Sequence, residues 1–207
     1  MASMSKREEL EARRRLVLEA AWRILIRDGL AELSVRNVAA EAGLAPSSLR
    51  YIFPTQASVR EQAVSLVRDR VTRRVAEVSA TAGTPAWARA VLHELVPLDG
   101  QRRIEMEVYL ALGTAVMTDP LLQPTHQETH RLVRTICSQA VEALLANQPE
   151  LIDVETDRLH ALVDGLALHL VRQQPHADTS WALDALDHHL TQLVRQAEPT
   201  PHLIDAS

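Results

Sequence analysis

The sequence predicts an all-α protein, and three observations support that prediction. Ala, Leu, Val and Arg dominate the composition, whereas aromatic residues make up only 3% of the 207 residues, a balance that favours helix over sheet. Apolar residues recur at spacings of three and four along most of the chain. Gly and Pro fall mostly between these periodic segments, where they end helices. We expect about nine helices, three of them in a small N-terminal unit.

Composition and charge narrow the class of protein. Hydrophobic residues make up 46% and charged residues 24% of the chain, which is typical of a globular protein with a core. The single cysteine excludes a disulfide within the chain. No apolar run reaches the length of a membrane span, and the start of the chain is charged, so we expect a cytoplasmic protein that does not enter a membrane. No cofactor is predicted.

The charge is distributed unevenly along the chain. The net charge is −5, but residues 1–56 carry nine Lys/Arg against seven Asp/Glu, a net +2, and the remainder carries −7. An asymmetry of this kind suggests two parts with different partners. The last residues, 199–207, have no apolar periodicity and contain two prolines, so we expect a flexible tail there.

The first two helices are predicted from apolar periodicity and end signals. The segment EELEARRRLVLEAAWRILIRDG is helical in pattern, and Gly29 follows it as a C-terminal cap. Its buried face is expected to comprise Val17, Ala20, Ala21, Ile24 and Leu25. Ser34 is placed to cap a second helix, VRNVAAEA, which Gly43 ends.

The third helix, PSSLRYIF, is unusually short. It begins with Pro46, whose missing N–H costs nothing in a first turn. A helix of about two turns is unstable alone, so its neighbours must hold it while its other face serves something outside. Two helices joined by a tight glycine turn have the spacing of a DNA-binding helix–turn–helix, with Leu44 and Leu49 filling the corner.

The run from Val17 to Val64 resembles the N-terminal signature of the TetR/AcrR family of transcriptional regulators. The matching features are the paired alanines of the first helix, Gly29, Ser34, VRNVA, AGL, Leu49, Tyr51 and Phe53. The resemblance covers about the first quarter of the chain, and it is specific because many residue types recur at fixed spacing. It implies a dimeric, all-helical DNA-binding regulator with a DNA-binding domain at 1–55 and a larger ligand-binding and dimerisation domain at 56–198.

The resemblance also implies roles for individual residues. Ser34 and Arg36 are expected to meet phosphates, and the helix at 45–51, with Ala45 in its first turn, is expected to enter the major groove. Ser47, Ser48 and Arg50 would face the bases there. Tyr51 would contact the DNA backbone, and the basic segment Arg13, Arg14 and Arg15 would add phosphate contacts.

The sequence departs from the family pattern at four positions in this region. Arg50 stands where a Tyr is usual, Ile52 where a His is usual, and Gln56 where a Lys is usual. Ala45 replaces a common capping Ser, which leaves the start of the recognition helix less well satisfied. Thr55 is expected to cap the fourth helix and is included among the DNA-binding candidates.

Further helices are predicted at about 56–80, 85–96, 101–118 and 121–147, followed by two that end the chain. By resemblance, an effector pocket lies among helices 85–147, although each candidate is as readily an ordinary core residue. Its candidate lining residues are Trp87, Met106, Tyr109, Leu110, Gly113, Met117, His126, His130, Val133 and Cys137. His126 and His130 have i, i+4 spacing, but no third ligand converges on them in the sequence, so no metal is predicted.

The last two helices carry apolar stripes with two possible uses. The resemblance implies a homodimer in which these helices pack against their copies, whereas the stripes can equally close the chain's own core. The stripe residues are Leu159, Leu162, Val163, Leu166, Leu170, Leu183, Leu186, Leu190 and Leu193.

Three classes of function remain open from the sequence. The leading one is a repressor that binds a palindromic double-stranded operator and is released by a small-molecule effector. An adaptor acting through protein contacts is the alternative. An enzyme is not predicted, because the sequence has no glycine-rich phosphate loop, no paired metal carboxylates and no nucleophile with a placed base.

Overall fold

The computed structural model describes residues 6–197, and this part of the chain is built from nine α-helices with three short 3₁₀ turns. The predicted all-α fold is confirmed. The predicted tail at 199–207 lies outside the described residues. The helices are α1 Lys6–Asp28, α2 Val35–Glu41, α3 Pro46–Ile52, α4 Gln56–Ala76, α5 Pro85–His93, α6 Gly100–Val116, α7 Gln123–Leu144, α8 Ile152–Arg172 and α9 Ser180–Ala197.

Several helix bounds differ from the predicted ones: α5 ends at His93 rather than near residue 96, and α7 is Gln123–Leu144 rather than 121–147. α4 ends at Ala76 rather than near residue 80, because Glu77 and Val78 bond back to Arg74 and Val75 in i→i+3 fashion, which tightens and ends the last turn. α8 begins at Ile152, directly after the 3₁₀ turn Pro149–Leu151. None of the helices in residues 6–197 is long and apolar enough to cross a membrane.

The chain divides into two compact units that do not coincide with the predicted boundary at residue 55. Among the described residues, one unit comprises residues 6–73 together with Asp99–His130, and the other comprises Arg74–Leu98 together with residues 131–197. The first unit therefore contains α1 to α3, most of α4, all of α6 and the start of α7. The functional division at residue 55 stays a prediction.

The first unit is held by one buried apolar cluster. Ile24 and Leu25 of α1 pack with Leu49 of α3, and Val108 and Leu112 of α6 belong to the same cluster. Burial of apolar surface is the main stabilising contribution to such a core. The helix–turn–helix therefore shares its core with α6, and this is why the packing boundary does not follow the sequence boundary.

Two contacts made by arginine side chains link α1 to α4 beside this core. The Arg14 guanidinium donates to Gln62 Oε1 on α4 at 2.9 Å. The Arg70 guanidinium lies 3.8 Å from the ring centroid of Trp22, a cation–π contact between α4 and α1.

In the second unit, the apolar stripes of α8 and α9 lie largely in the unit's own core. Of the nine predicted dimer-interface residues, only Leu162 and Leu183 are half-exposed. The other seven are enclosed by their own chain, which leaves little surface for a partner, and their part in a dimer interface stays a prediction. These seven are Leu159, Val163, Leu166, Leu170, Leu186, Leu190 and Leu193.

Candidate nucleic-acid interface

The turn between α2 and α3 is defined by backbone hydrogen bonds that require a glycine. The Leu44 N–H donates to Ala39 O at 2.9 Å and the Gly43 N–H donates to Ala40 O at 3.2 Å, the paired bonds of a Schellman cap. Gly43 has φ of +67°, a left-handed conformation that costs little only for glycine. The predicted helix end at Gly43 is therefore confirmed, and it directs the chain into α3.

Ser34 caps α2, as the sequence predicts. Its Oγ accepts a hydrogen bond from the Asn37 N–H at 3.1 Å. The hydroxyl proton is not used by this bond, so the Ser34 hydroxyl can still donate a hydrogen bond to a phosphate oxygen. Arg36, two residues further on, is exposed.

The short helix α3 is anchored on one side and exposed on the other. Leu49 is fully buried, and Phe53 follows the helix with 4% of its surface exposed. Ser47 and Arg50 are exposed, and Tyr51 is 85% exposed. An aromatic ring this exposed contributes nothing to the core, so the outer face of α3 offers two polar side chains and one ring to an external partner.

The start of α3 has no side-chain cap. Ala45 occupies the N-cap position, and Pro46 follows it in the first turn. The Ser48 N–H donates instead to the Ala45 carbonyl at 2.9 Å. Packing of Leu49 must therefore supply most of the stability of a seven-residue helix.

The junction of α3 and α4 is closed by a reciprocal pair of caps. Thr55 Oγ1 accepts from the Ser58 N–H at 3.0 Å, and Ser58 Oγ accepts from the Thr55 N–H at 3.2 Å. This arrangement is a capping box with Ser in place of the usual Glu. The predicted N-cap role of Thr55 is confirmed.

Replacing Thr55 by Ala is expected to lower the free energy of unfolding by about 1 kcal/mol, because the Ser58 N–H loses its acceptor. Urea denaturation followed by circular dichroism measures this. Thr72→Ala is the matched control, since Thr72 is exposed within α4 and its loss is expected to change stability by less than about 0.5 kcal/mol. Equal effects of the two substitutions would contradict the capping role.

The basic residues of the N-terminal region fall into two groups that the sequence does not distinguish. Arg23 and Arg27 of α1 both pair with Glu41 of α2, at 2.8 and 3.0 Å, and these two guanidinium groups hold the pKa of Glu41 below its usual range. In contrast, Arg13, Arg36 and Arg50 are exposed and form no ion pair within residues 6–197. The second group can bind phosphate without breaking an existing pair.

An open groove of about 620 Å³ lies between the start of α1 and the outer face of α3. Arg13 lies on the α1 side of the groove and Tyr51 on the α3 side. The sequence predicts a DNA contact for Arg13 but not for the α1 residues beside it, because nothing in local periodicity shows which turn of α1 lies next to α3. The complete lining comprises Glu9, Leu10, Arg13, Ser47, Ser48, Tyr51 and Ile52.

The structure brings together four of the predicted pocket residues in the first unit. The rings of Tyr109 and His126 are nearly parallel with centroids 6.4 Å apart, and His130 lies 6.4 Å from His126. Gly113 is beside them, since a Cβ at this position would lie 3.8 Å from His126 Nε2. Within residues 6–197, no group of three or more His, Cys, Asp or Glu is placed to hold a metal ion.

The remaining predicted pocket residues have differing environments. Met117 is 84% exposed and lines no enclosed space in this structure, and its role in a pocket stays a prediction. Met106 and Leu110 are half-buried in the first unit. In the second unit, Trp87 and Val133 are half-buried. Cys137 is fully buried, and burial raises the pKa of its thiol to about 12, as expected for a core cysteine.

The helix–turn–helix has a buried apolar core, and its second helix presents hydroxyl, guanidinium and phenol groups to solvent. These two features define the class of helix–turn–helix DNA-binding proteins. Comparison with known protein families supports this assignment to the helix–turn–helix DNA-binding proteins. The sequence model described as "Bacterial regulatory proteins, tetR family" matches residues 17–63, and that described as "BetI-type transcriptional repressor, C-terminal" matches residues 85–195.

Individual relatives agree with the family assignment. HTH-type transcriptional regulator PksA of Bacillus subtilis (strain 168) is 34% identical over 168 residues, covering 80% of this chain and 82% of the relative. The chain therefore belongs to the TetR family of bacterial transcriptional regulators, and it is a DNA-binding regulator.

Two solved structures have the same fold. A transcriptional regulator from Rhodococcus sp. Rha1 is 26% identical, with a TM-score of 0.75 over 90% of this chain and 98% of the other. The multidrug binding protein EbrR, solved with ethidium, is 28% identical, with a TM-score of 0.62 over 86% of this chain and 98% of the other.

Proposed function

We propose that this chain is a repressor that binds its operator as a homodimer and is released by a small molecule. The observation that carries the proposal is the outer face of α3, where Ser47, Arg50 and Tyr51 are exposed. Hydroxyl and guanidinium groups suit phosphate and base edges. The match of residues 85–195 to a BetI-type repressor domain supports repression rather than activation. Binding to chromosomal DNA would place the protein in the bacterial cytoplasm, at the nucleoid.

The proposed dimer uses the outer faces of α8 and α9. Leu162 and Leu183 are half-exposed there, and Ala161 and Ala185 are exposed and small. Small side chains allow two helices to approach closely. A two-fold axis would place two copies of α3 in successive major grooves, so the operator is expected to be palindromic.

The proposed effector binds against the cluster of Tyr109, His126 and His130. The rings of Tyr109 and His126 are nearly parallel, so a flat aromatic ligand is expected to stack in the same orientation against this cluster. Glu105 lies one helical turn before Tyr109 and is 3% exposed, and its buried carboxylate favours a cationic compound. The EbrR complex with ethidium, an aromatic cation, supports this ligand class. The effector releases the operator only if it binds the free state more tightly than the bound state.

Fluorescence anisotropy tests both parts of the proposal on one sample. The purified chain is titrated into labelled DNA from upstream of its own gene over a salt series, and tetraphenylphosphonium is then added. We expect tight binding that weakens steeply with salt, followed by release of the DNA. The sequence-specific proposal fails if neither this DNA nor any sequence from a random-sequence selection binds, which would favour the adaptor alternative. Binding without release by tetraphenylphosphonium would reject an aromatic cation as effector.

A further inference from the structure

A second cavity lies within the first unit, between α4 and α6. Its volume is about 450 Å³, within the range of roughly 300–1,000 Å³ typical of small-molecule sites. It is distinct from the cluster around Tyr109, because none of the Tyr109, His126 or His130 side chains is among its lining residues. The residues that line it are Arg60, Val64, Val108, Ala111, Leu112, Thr114, Ala115 and Thr118.

The walls of this cavity are mostly apolar, and small side chains create its space. Val64, Val108 and Leu112 are buried and form its inner part. Ala111 and Ala115, one helical turn apart on α6, are half-exposed. Because alanine fills little volume between two helices, the gap between α4 and α6 is left open at this level. An apolar ligand body would remove these surfaces from water.

The polar groups at the cavity select the charge of the ligand. Of the described residues that line it, Arg60 alone is charged. Arg60 is exposed and forms no ion pair within residues 6–197, so its guanidinium is available to a ligand. Thr114 and Thr118 already donate their hydroxyl protons to the carbonyls of Leu110 and Ala115, each at 3.2 Å. Arg60 is therefore the principal donor for an acidic group.

We propose that the cavity between α4 and α6 is a binding site for an amphipathic organic anion, with an apolar body between the helices and a carboxylate on Arg60. The site is additional to the proposed aromatic-cation site. Its inner residues Val64, Val108 and Leu112 belong to the same buried cluster as Leu49 and Phe53. A ligand here contacts the core that anchors α3.

Isothermal titration calorimetry of the full chain without DNA tests the site independently of any operator. The probes are decanoate and decylammonium, which share a tail and differ in charge. We expect decanoate to bind with one saturable site and at least about tenfold more tightly than decylammonium, because only the carboxylate can accept a charge-assisted hydrogen bond from Arg60. Equal affinities, or uptake that does not saturate, would overturn the proposal.

Two substitutions and one control variant locate the binding. Arg60→Gln is expected to weaken decanoate binding about tenfold, whereas Arg73→Gln, which removes the same charge from an exposed position of α4 outside the cavity, is expected to leave it unchanged. Ala111→Phe is expected to abolish binding of decanoate by filling the space. Because Arg60 is exposed, its substitution tests the site even if Ala111→Phe fails to fold. Equal effects of Arg60→Gln and Arg73→Gln would assign decanoate to another surface and reject the site.

Discussion

Replacing Leu49 by Ala is expected to lower the free energy of unfolding by about 2–5 kcal/mol and to abolish operator binding. Leu49 is fully buried, in one cluster with Ile24, Leu25 and Val38. Truncating it removes buried apolar surface and leaves a cavity. α3 has only seven residues and no side-chain cap at its start. The helix that presents Arg50 and Tyr51 therefore loses its main anchor.

Urea denaturation and DNA titration measure the two effects on Leu49→Ala. Leu121→Ala is the matched control, because Leu121 is 75% exposed and the same truncation there is expected to change stability by less than about 0.5 kcal/mol. Leu49→Met keeps the volume nearly constant, so most of the stability and the DNA affinity should survive. If Leu49→Ala were no more destabilising than Leu121→Ala, α3 would not depend on this side chain.

Local signals predicted the helix–turn–helix in detail. Ser34 caps α2, Gly43 takes the left-handed conformation, Pro46 starts α3 and Thr55 caps α4. Each of these features depends on residues within about four positions along the chain, so the sequence contains the information directly. The exposed face of α3 followed from the same reasoning, because a seven-residue helix buries only one side.

Long-range packing explains what sequence reasoning could not predict. Val108 and Leu112 of α6 join the core of the helix–turn–helix. They lie far from it in the sequence, and no motif links the two segments. Likewise, Glu41 forms ion pairs with Arg23 and Arg27, which lie 18 and 14 positions before it in the sequence. These two arginines are therefore already paired and are not available to DNA. Apolar periodicity shows that a face is buried, but it does not show which partner buries it.

The stripes of α8 and α9 illustrate the same limit at a proposed interface. Their spacing predicts an apolar face correctly, and yet seven of the nine residues are buried within one chain. The surface left for a second copy consists of neighbouring positions such as Ala161, Leu162, Leu183 and Ala185. A dimer interface on these helices would therefore depend on small residues and close approach more than on the leucines of the stripes.

Replacing Arg50 by Ala is expected to weaken operator binding by about tenfold or more without unfolding the chain. Arg50 is exposed on α3 and forms no ion pair within residues 6–197, so its removal leaves no buried group unsatisfied. A bidentate pair with a base contributes about 1–3 kcal/mol of discrimination, whereas a phosphate contact contributes to all sequences alike. Anisotropy titration with the operator and with a scrambled duplex measures both quantities.

The salt dependence of this Arg50→Ala variant decides which contact Arg50 makes. If Arg50 binds a phosphate, the slope of log affinity against log salt should fall by about 0.9, and operator and scrambled DNA should weaken equally. If it reads a guanine, the operator should weaken far more than the scrambled duplex. Arg73→Ala is the control, because Arg73 is exposed on α4 about 25 Å along the helix axis from Gln56. Loss of affinity equal to that of Arg73→Ala would remove Arg50 from the interface, and the contacts would then have to come from Ser47, Tyr51 and Arg36.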